Sequence, residues 1–102
     1  MNNLANILER SIVVPNHVLF RSLRDEVVML DLKRKIYYGL DSVGASMWGA
    51  VTRTSSPQAA LAELTAEYDV AEDEITRDFE ALLLKLVDRG LLISAASSDR
   101  QP

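Results

Sequence analysis

Cysteine is absent from this 102-residue chain, so neither a disulfide nor a thiolate metal site can form. A single histidine, His17, cannot build a multi-histidine metal cluster. Glycine stands only at Gly39, Gly44, Gly49 and Gly90, and no GxGxxG or Walker-type phosphate loop is present. No apolar run approaches the roughly 18–20 residues of a membrane helix. The start, MNNLANILERSIVVPN, lacks the basic beginning, long apolar stretch and small-residue cleavage site of a signal peptide. A net charge of −4 argues against nucleic acid or an anionic membrane as the main partner. These absences set the expectation of a cytoplasmic protein without metal or cofactor.

What is present is an ordinary globular composition. Hydrophobic residues make up 48% and charged residues 25%, which separates the chain from disordered sequences. The length suits one domain with a modest core. Charge is unevenly spread. Between His17 and Leu40 the basic residues Arg21, Arg24, Lys33, Arg34 and Lys35 outnumber Asp25, Glu26 and Asp31. Between Ala60 and Glu80 eight acids face Arg77 alone.

Residues 1–16 read as a lead-in, with a short helical turn over Leu4, Ile7 and Leu8 and a stop at Pro15 and Asn16. Three short strands follow: His17–Leu23, Val27–Leu32, rich in apolar residues and β-branched at its start, and Ile36–Leu40. Arg24–Glu26 and Lys33–Lys35 supply the turns of an antiparallel meander. The period then changes. Asp41 or Ser42 can cap a helix carrying Val43, Met47, Trp48 and Val51 at helical spacing. Ser56 and Pro57 open a second helix that runs to about Tyr68. A third extends from about Glu72 to Arg89, with acids in its first turn, Lys85 and Arg89 near its end, and Gly90 beyond. "LLIS" packs back on the core, and residues 95–102 read as a disordered tail. The order β-β-β-α-α-α predicts an α+β, winged-helix-like domain over residues 17–94, its helices on one face of a small sheet.

No convergent catalytic set emerges. His17 lies near the start of a strand with no serine elbow, and the paired carboxylates fall on charged helix faces that are ordinarily solvated. A winged-helix DNA-binding regulator is the alternative function, but the third helix opens with AEDEITRDFE, which phosphates would repel. A binding surface remains. The third strand is apolar on both faces, and successive strand side chains alternate, so Ile36, Tyr37 and Tyr38 cannot all enter one core. Leu82, Leu83 and Leu84 are consecutive on the third helix, with the same consequence. A strand at a sheet edge can take up a peptide as a further strand, its backbone giving affinity and its side-chain pockets specificity. Which of Tyr37 and Tyr38 faces such a groove stays open at this level. Self-pairing of strand edges, giving a monomer in equilibrium with a weak dimer, is a further possibility.

Two stretches, KIYYGLDSVGASMWGAV and ALAELTAEYDVAEDEITRDFEALLLKLVDRGLL, resemble the PqqD-like family. The first matches its strand with a Tyr-x-Leu-type end, an Asn/Asp, a small-residue helix start and a Trp; the second matches its acidic, then Leu-rich, last helix. The resemblance spans about residues 17–93. It implies three strands and three helices and a RiPP recognition element. Such a protein is a non-catalytic adaptor, or peptide chaperone, that binds the leader segment of a ribosomally made precursor peptide. It presents that segment to a modifying enzyme: a leader peptidase, a cyclase or a radical-SAM enzyme, in natural product biosynthesis of lasso-peptide or quinone-cofactor type. The implied peptide-binding residues are Lys33, Arg34, Lys35, Ile36, Tyr37, Tyr38 and Leu40 on the strand side, and Asp78, Phe79, Leu82, Leu83 and Leu86 on the helix. The lead-in and polar tail fit a free-standing protein, with a domain excised from a larger one as the alternative.

Overall fold

A computed structural model describes residues 7–96. Five strands and three helices follow in chain order: β1 (Arg10–Val13), β2 (Val18–Leu23), β3 (Glu26–Asp31), β4 (Ile36–Leu40), α1 (Ser42–Thr54), α2 (Pro57–Glu67), α3 (Glu72–Asp88) and β5 (Ile93–Ala96). The expected meander is present as an antiparallel sheet in the order β2-β3-β4, followed by the three helices. This is the α+β arrangement that the change of period in the sequence predicts.

Two tight turns set the register. Leu23 pairs with Glu26 across a two-residue turn, and Arg24 takes the left-handed backbone (φ 55°) that glycine more often supplies. The β3–β4 turn is organised by Asp31. Its Oδ1 accepts hydrogen bonds from the backbone N–H groups of Lys33 (3.0 Å) and Arg34 (3.1 Å), and its carbonyl accepts one from Lys35 (2.6 Å). Lys35 is also left-handed (φ 60°), which lets the chain re-enter the sheet after four residues.

Side-chain caps start two of the helices. Of the two candidates for α1, Asp41 does the capping, accepting from the Gly44 N–H at 3.1 Å. Ser56 accepts from the Ala59 N–H at 3.2 Å, with Pro57 next to it in the first turn of α2. α3 has no side-chain cap; Glu72, Asp73 and Glu74 meet the positive end of its dipole instead. Gly90 (φ 78°) turns the chain out of α3.

The core lies between one face of the sheet and the helices. Met29, Trp48, Val51, Leu64, Phe79 and Leu83 are its centre. Trp48 is buried, and its ring meets Phe20 edge-on at a centroid distance of 5.0 Å. Leu91 and Leu92 are buried, so the "LLIS" segment does return to the core.

One pairing has no counterpart in the sequence reading. β1 pairs antiparallel with β5, Arg10 opposite Ala96 and Val13 opposite Ile93. Ile7 and Ile12, from the segment read as a lead-in, are buried in the common core. Residues 7–9 make a single 3-10 turn, while Leu4 lies outside the described residues. Ala95 and Ala96 complete β5, and the remainder of the expected tail, 97–102, also lies outside them. Four-residue strands that pair across almost the whole chain leave no local pattern to read. No helix among the described residues is long and apolar enough to cross a membrane.

Candidate functional site

β4 is an edge strand. One side pairs with β3, and among the described residues the other has no strand partner. Alongside this edge runs α3, and between the two is a cavity of about 200 Å³. Its floor and sheet wall are Met29, Tyr38, Gly39, Leu40 and Leu91; its helix wall is Leu82, Lys85, Leu86 and Arg89. An apolar trough beside unpaired backbone N–H and C=O groups can hold an extended peptide and pocket its alternate side chains.

The register settles the two tyrosines. Tyr38 pairs with Met29, which is wholly buried, and it packs against the core from the groove side. Tyr37 pairs with Leu30 on the opposite face and is 70% exposed. That outer face carries its own broad, open hollow of about 740 Å³, bounded in part by Leu19, Arg21, Leu23, Val28, Leu30 and Tyr37. It is the larger of the two hollows and draws most of its lining from β2, the other edge strand of this sheet, but no helix residue walls it. Among the described residues, the smaller groove is the one that sets an edge strand against a helix.

The sequence-derived residues divide accordingly. Tyr38, Leu40, Leu82 and Leu86 line the groove. Ile36 is partly exposed at the start of β4, and Lys33 and Lys35 are exposed in the preceding turn. Asp78 is exposed on α3, one helical turn before Leu82 and outside the cavity. Phe79 and Leu83 correct the expectation of an exposed helix face: both are fully buried and brace α3 from beneath, because they point between the helix and the core. Tyr37 faces away from the groove. Met29, Gly39, Lys85, Arg89 and Leu91 were not foreseen. Lys85 and Arg89 were legible in principle, since they continue the helical stripe of Leu82 at spacings of three and seven. Met29, Gly39 and Leu91 carry no such signal.

Arg34, expected among the peptide-binding residues, donates from Nη1 a 2.6 Å hydrogen bond to the carbonyl oxygen of Arg89 and lies 3.7 Å from Asp31 Oδ2. Burial raises the pKa of Asp31, but the Arg34 and Lys33 amides and the charges of His17 and Arg34 outweigh it and hold the carboxyl below its usual range. His17 itself has its Nε2 4.0 Å from Asp31 Oδ1. Its carbonyl accepts a 2.8 Å hydrogen bond from the Leu32 N–H at the start of the turn.

A family model described as coenzyme PQQ synthesis protein D (PqqD) matches residues 26–92, from the first residue of β3 to the end of the buried Leu91–Leu92 pair. The chain belongs to the PqqD family. Among solved structures it is similar to TbiB1 in complex with the TbiA(beta) leader peptide, with 31% identity and a TM-score of 0.74 over 78% of this chain and 93% of that one. It is also similar in fold to a lasso peptide synthetase B1 complexed with the leader peptide, with 23% identity and a TM-score of 0.73 over 81% of this chain and 98% of the other. Comparison with curated protein sequences finds no match. The match begins at β3, so the β4 edge, α3 and the groove between them all lie within the PqqD-family region, whereas β1 and β2 precede it.

Proposed function

We propose that this PqqD-family protein is a leader-peptide-binding adaptor. The leader segment of a ribosomally synthesised precursor adds as a strand to the free edge of β4, and its alternate side chains enter the groove against Tyr38, Leu40, Leu82 and Leu86. The protein has no catalytic activity of its own and presents the bound peptide to a modifying enzyme or leader peptidase, in a pathway of lasso-peptide or quinone-cofactor type. The observation that carries this reading is the open β4 edge beside an apolar trough, in a domain similar to TbiB1, which was solved with a leader peptide. Backbone pairing supplies sequence-independent affinity, and the trough supplies the choice of side chains. Lys33 and Lys35 in the turn add weak attraction for an acidic leader, and Asp78 for a basic residue, each contributing about 0–1 kcal/mol.

Chemical-shift mapping of the labelled protein with candidate leader peptides tests the proposal. Shifts concentrated on β4 and α3 support strand addition at this groove. Shifts confined to the outer face, around Leu30 and Tyr37, would place the peptide elsewhere and refute it.

A further inference from the structure

The groove is electrically lopsided along its length. On α3 the side chains of Asp78, Leu82, Lys85 and Arg89 follow one another at spacings of four, three and four, so they form one stripe. The last three line the cavity, and Asp78 precedes them by one turn. Read along the helix, the stripe passes from an acid just outside the groove through an apolar stretch to two cations. The hydrogen bond from Arg34 to the Arg89 carbonyl brings a third cation to the same end.

Lys85 and Arg89 are like charges one helical turn apart, an arrangement that by itself disfavours a helix. No carboxylate among the described residues forms an ion pair with either of them, and Asp88, three residues on from Lys85, does not do so. The negative end of the α3 dipole accounts for cations in the last turns of the helix. It does not account for their position on the groove stripe rather than on the solvent side. Met29, Tyr38, Leu86 and Leu91 line the groove beside them, an apolar wall that strengthens attraction for an incoming charge.

We infer that the groove selects charge as well as shape: it takes a peptide strand bearing a carboxylate side chain at the Lys85–Arg89 end, at a fixed distance from an aliphatic residue seated against Leu82 and Leu86. This rests on the leader-binding reading and adds to it the class of peptide and the polarity with which it lies. An acid beyond one end of the groove and a cation-bearing rim at the other leave only one favourable lengthwise placement for an acidic strand.

A displayed library of random peptides long enough to span β4 provides the test. It is selected on the full chain, on Lys85→Glu/Arg89→Glu, and on Arg21→Glu/Arg77→Glu, which changes net charge equally but away from the groove. The wild type is expected to enrich Asp or Glu at a constant spacing from an aliphatic residue. The Lys85→Glu/Arg89→Glu chain is expected to enrich Lys or Arg at that same spacing, and to bind the wild-type-selected peptide about tenfold more weakly. Arg21→Glu/Arg77→Glu is expected to keep the acidic preference. Peptides with an aliphatic anchor but no acidic preference, or a preference unmoved by the reversal, overturn the inference while leaving the leader-binding reading standing. Failure of all three chains to enrich any aliphatic-anchored peptide overturns both. Circular dichroism checks folding; if the reversal unfolds the chain, Lys85→Gln/Arg89→Gln replaces it, with loss of the acidic preference as the expected result and its retention as the contrary one.

Discussion

Arg34 Nη1 donates a 2.6 Å hydrogen bond to the carbonyl oxygen of Arg89, and this contact ties the β3–β4 turn to the end of α3. The carbonyl belongs to the residue that caps the C-terminus of α3, where no intrahelical donor remains for it. The same guanidinium lies 3.7 Å from Asp31, so one side chain links the carboxylate that shapes the turn to the helix that walls the groove. Groove width at this end is therefore a property of three residues rather than of α3 packing alone.

Replacing Arg34 with alanine is expected to lower stability by about 1 kcal/mol. That is below the range for a charge-assisted hydrogen bond, because the side chain is 56% exposed. Urea denaturation reads the loss. Peptide affinity should fall with it, since the helix end is no longer held against the turn.

The Asp31 carboxyl gives the fold a pH dependence of known sign. Its folded-state pKa is depressed, so the unfolded chain takes up the proton first on acidification. The stabilisation is complete above the ordinary carboxylate pKa and is lost as pH falls through the folded value. Urea midpoints measured from neutral to acidic pH should decline in that window. Asp31→Asn should be less stable at neutral pH and lack that part of the decline.

Groove and outer face should separate cleanly under mutation. Leu82→Asp, and more mildly Tyr38→Ala, are expected to weaken leader binding, the former by roughly 2 kcal/mol or more, with the domain still folded. Tyr37→Ala, on the other face, should leave groove affinity within about 0.5 kcal/mol of wild type. Isothermal titration with a leader peptide measures all three.

Phe79 and Leu83 call for the opposite result. Both are fully buried, so Leu83→Ala should cost about 2–5 kcal/mol and Phe79→Ala about 3–5 kcal/mol of folding stability. Thermal unfolding should show the loss without any peptide present. A folded, equally stable Leu83→Ala chain with impaired binding would instead place that side chain in the groove.

The β1–β5 pairing is tested at Ile12. Its side chain is buried, and Ile12→Ala should destabilise by roughly 2–5 kcal/mol although it lies before the PqqD-family match. Removal of residues 1–13 should do at least as much.

Much of the architecture is written in local pattern. The β-branched run at Val27–Val28, the Asp41 and Ser56 caps and the Leu-rich stripe of α3 each declare an element through interactions within a few residues. Their order alone predicts a small sheet carrying helices on one face. The pair β1 and β5 stayed hidden because its two halves meet only after the rest of the chain has folded between them. The same distinction divides the groove. Alternation along Ile36–Leu40 shows that one tyrosine must face outward, but it cannot say which, since an alternating strand is symmetric until something packs on it. The core decides: α1 covers the Met29 face of the sheet, which turns Tyr38 toward α3 and leaves Tyr37 on the opposite side. Likewise the leucine run of α3 guarantees surplus apolar surface, while the packing of Phe79 and Leu83 beneath the helix leaves Leu82 and Lys85 to form the wall. The sequence by itself determined which elements form and that one strand edge and one helix face would be left over. Only the tertiary structure decided which side chains those are, because burial is a relation between segments distant in the chain.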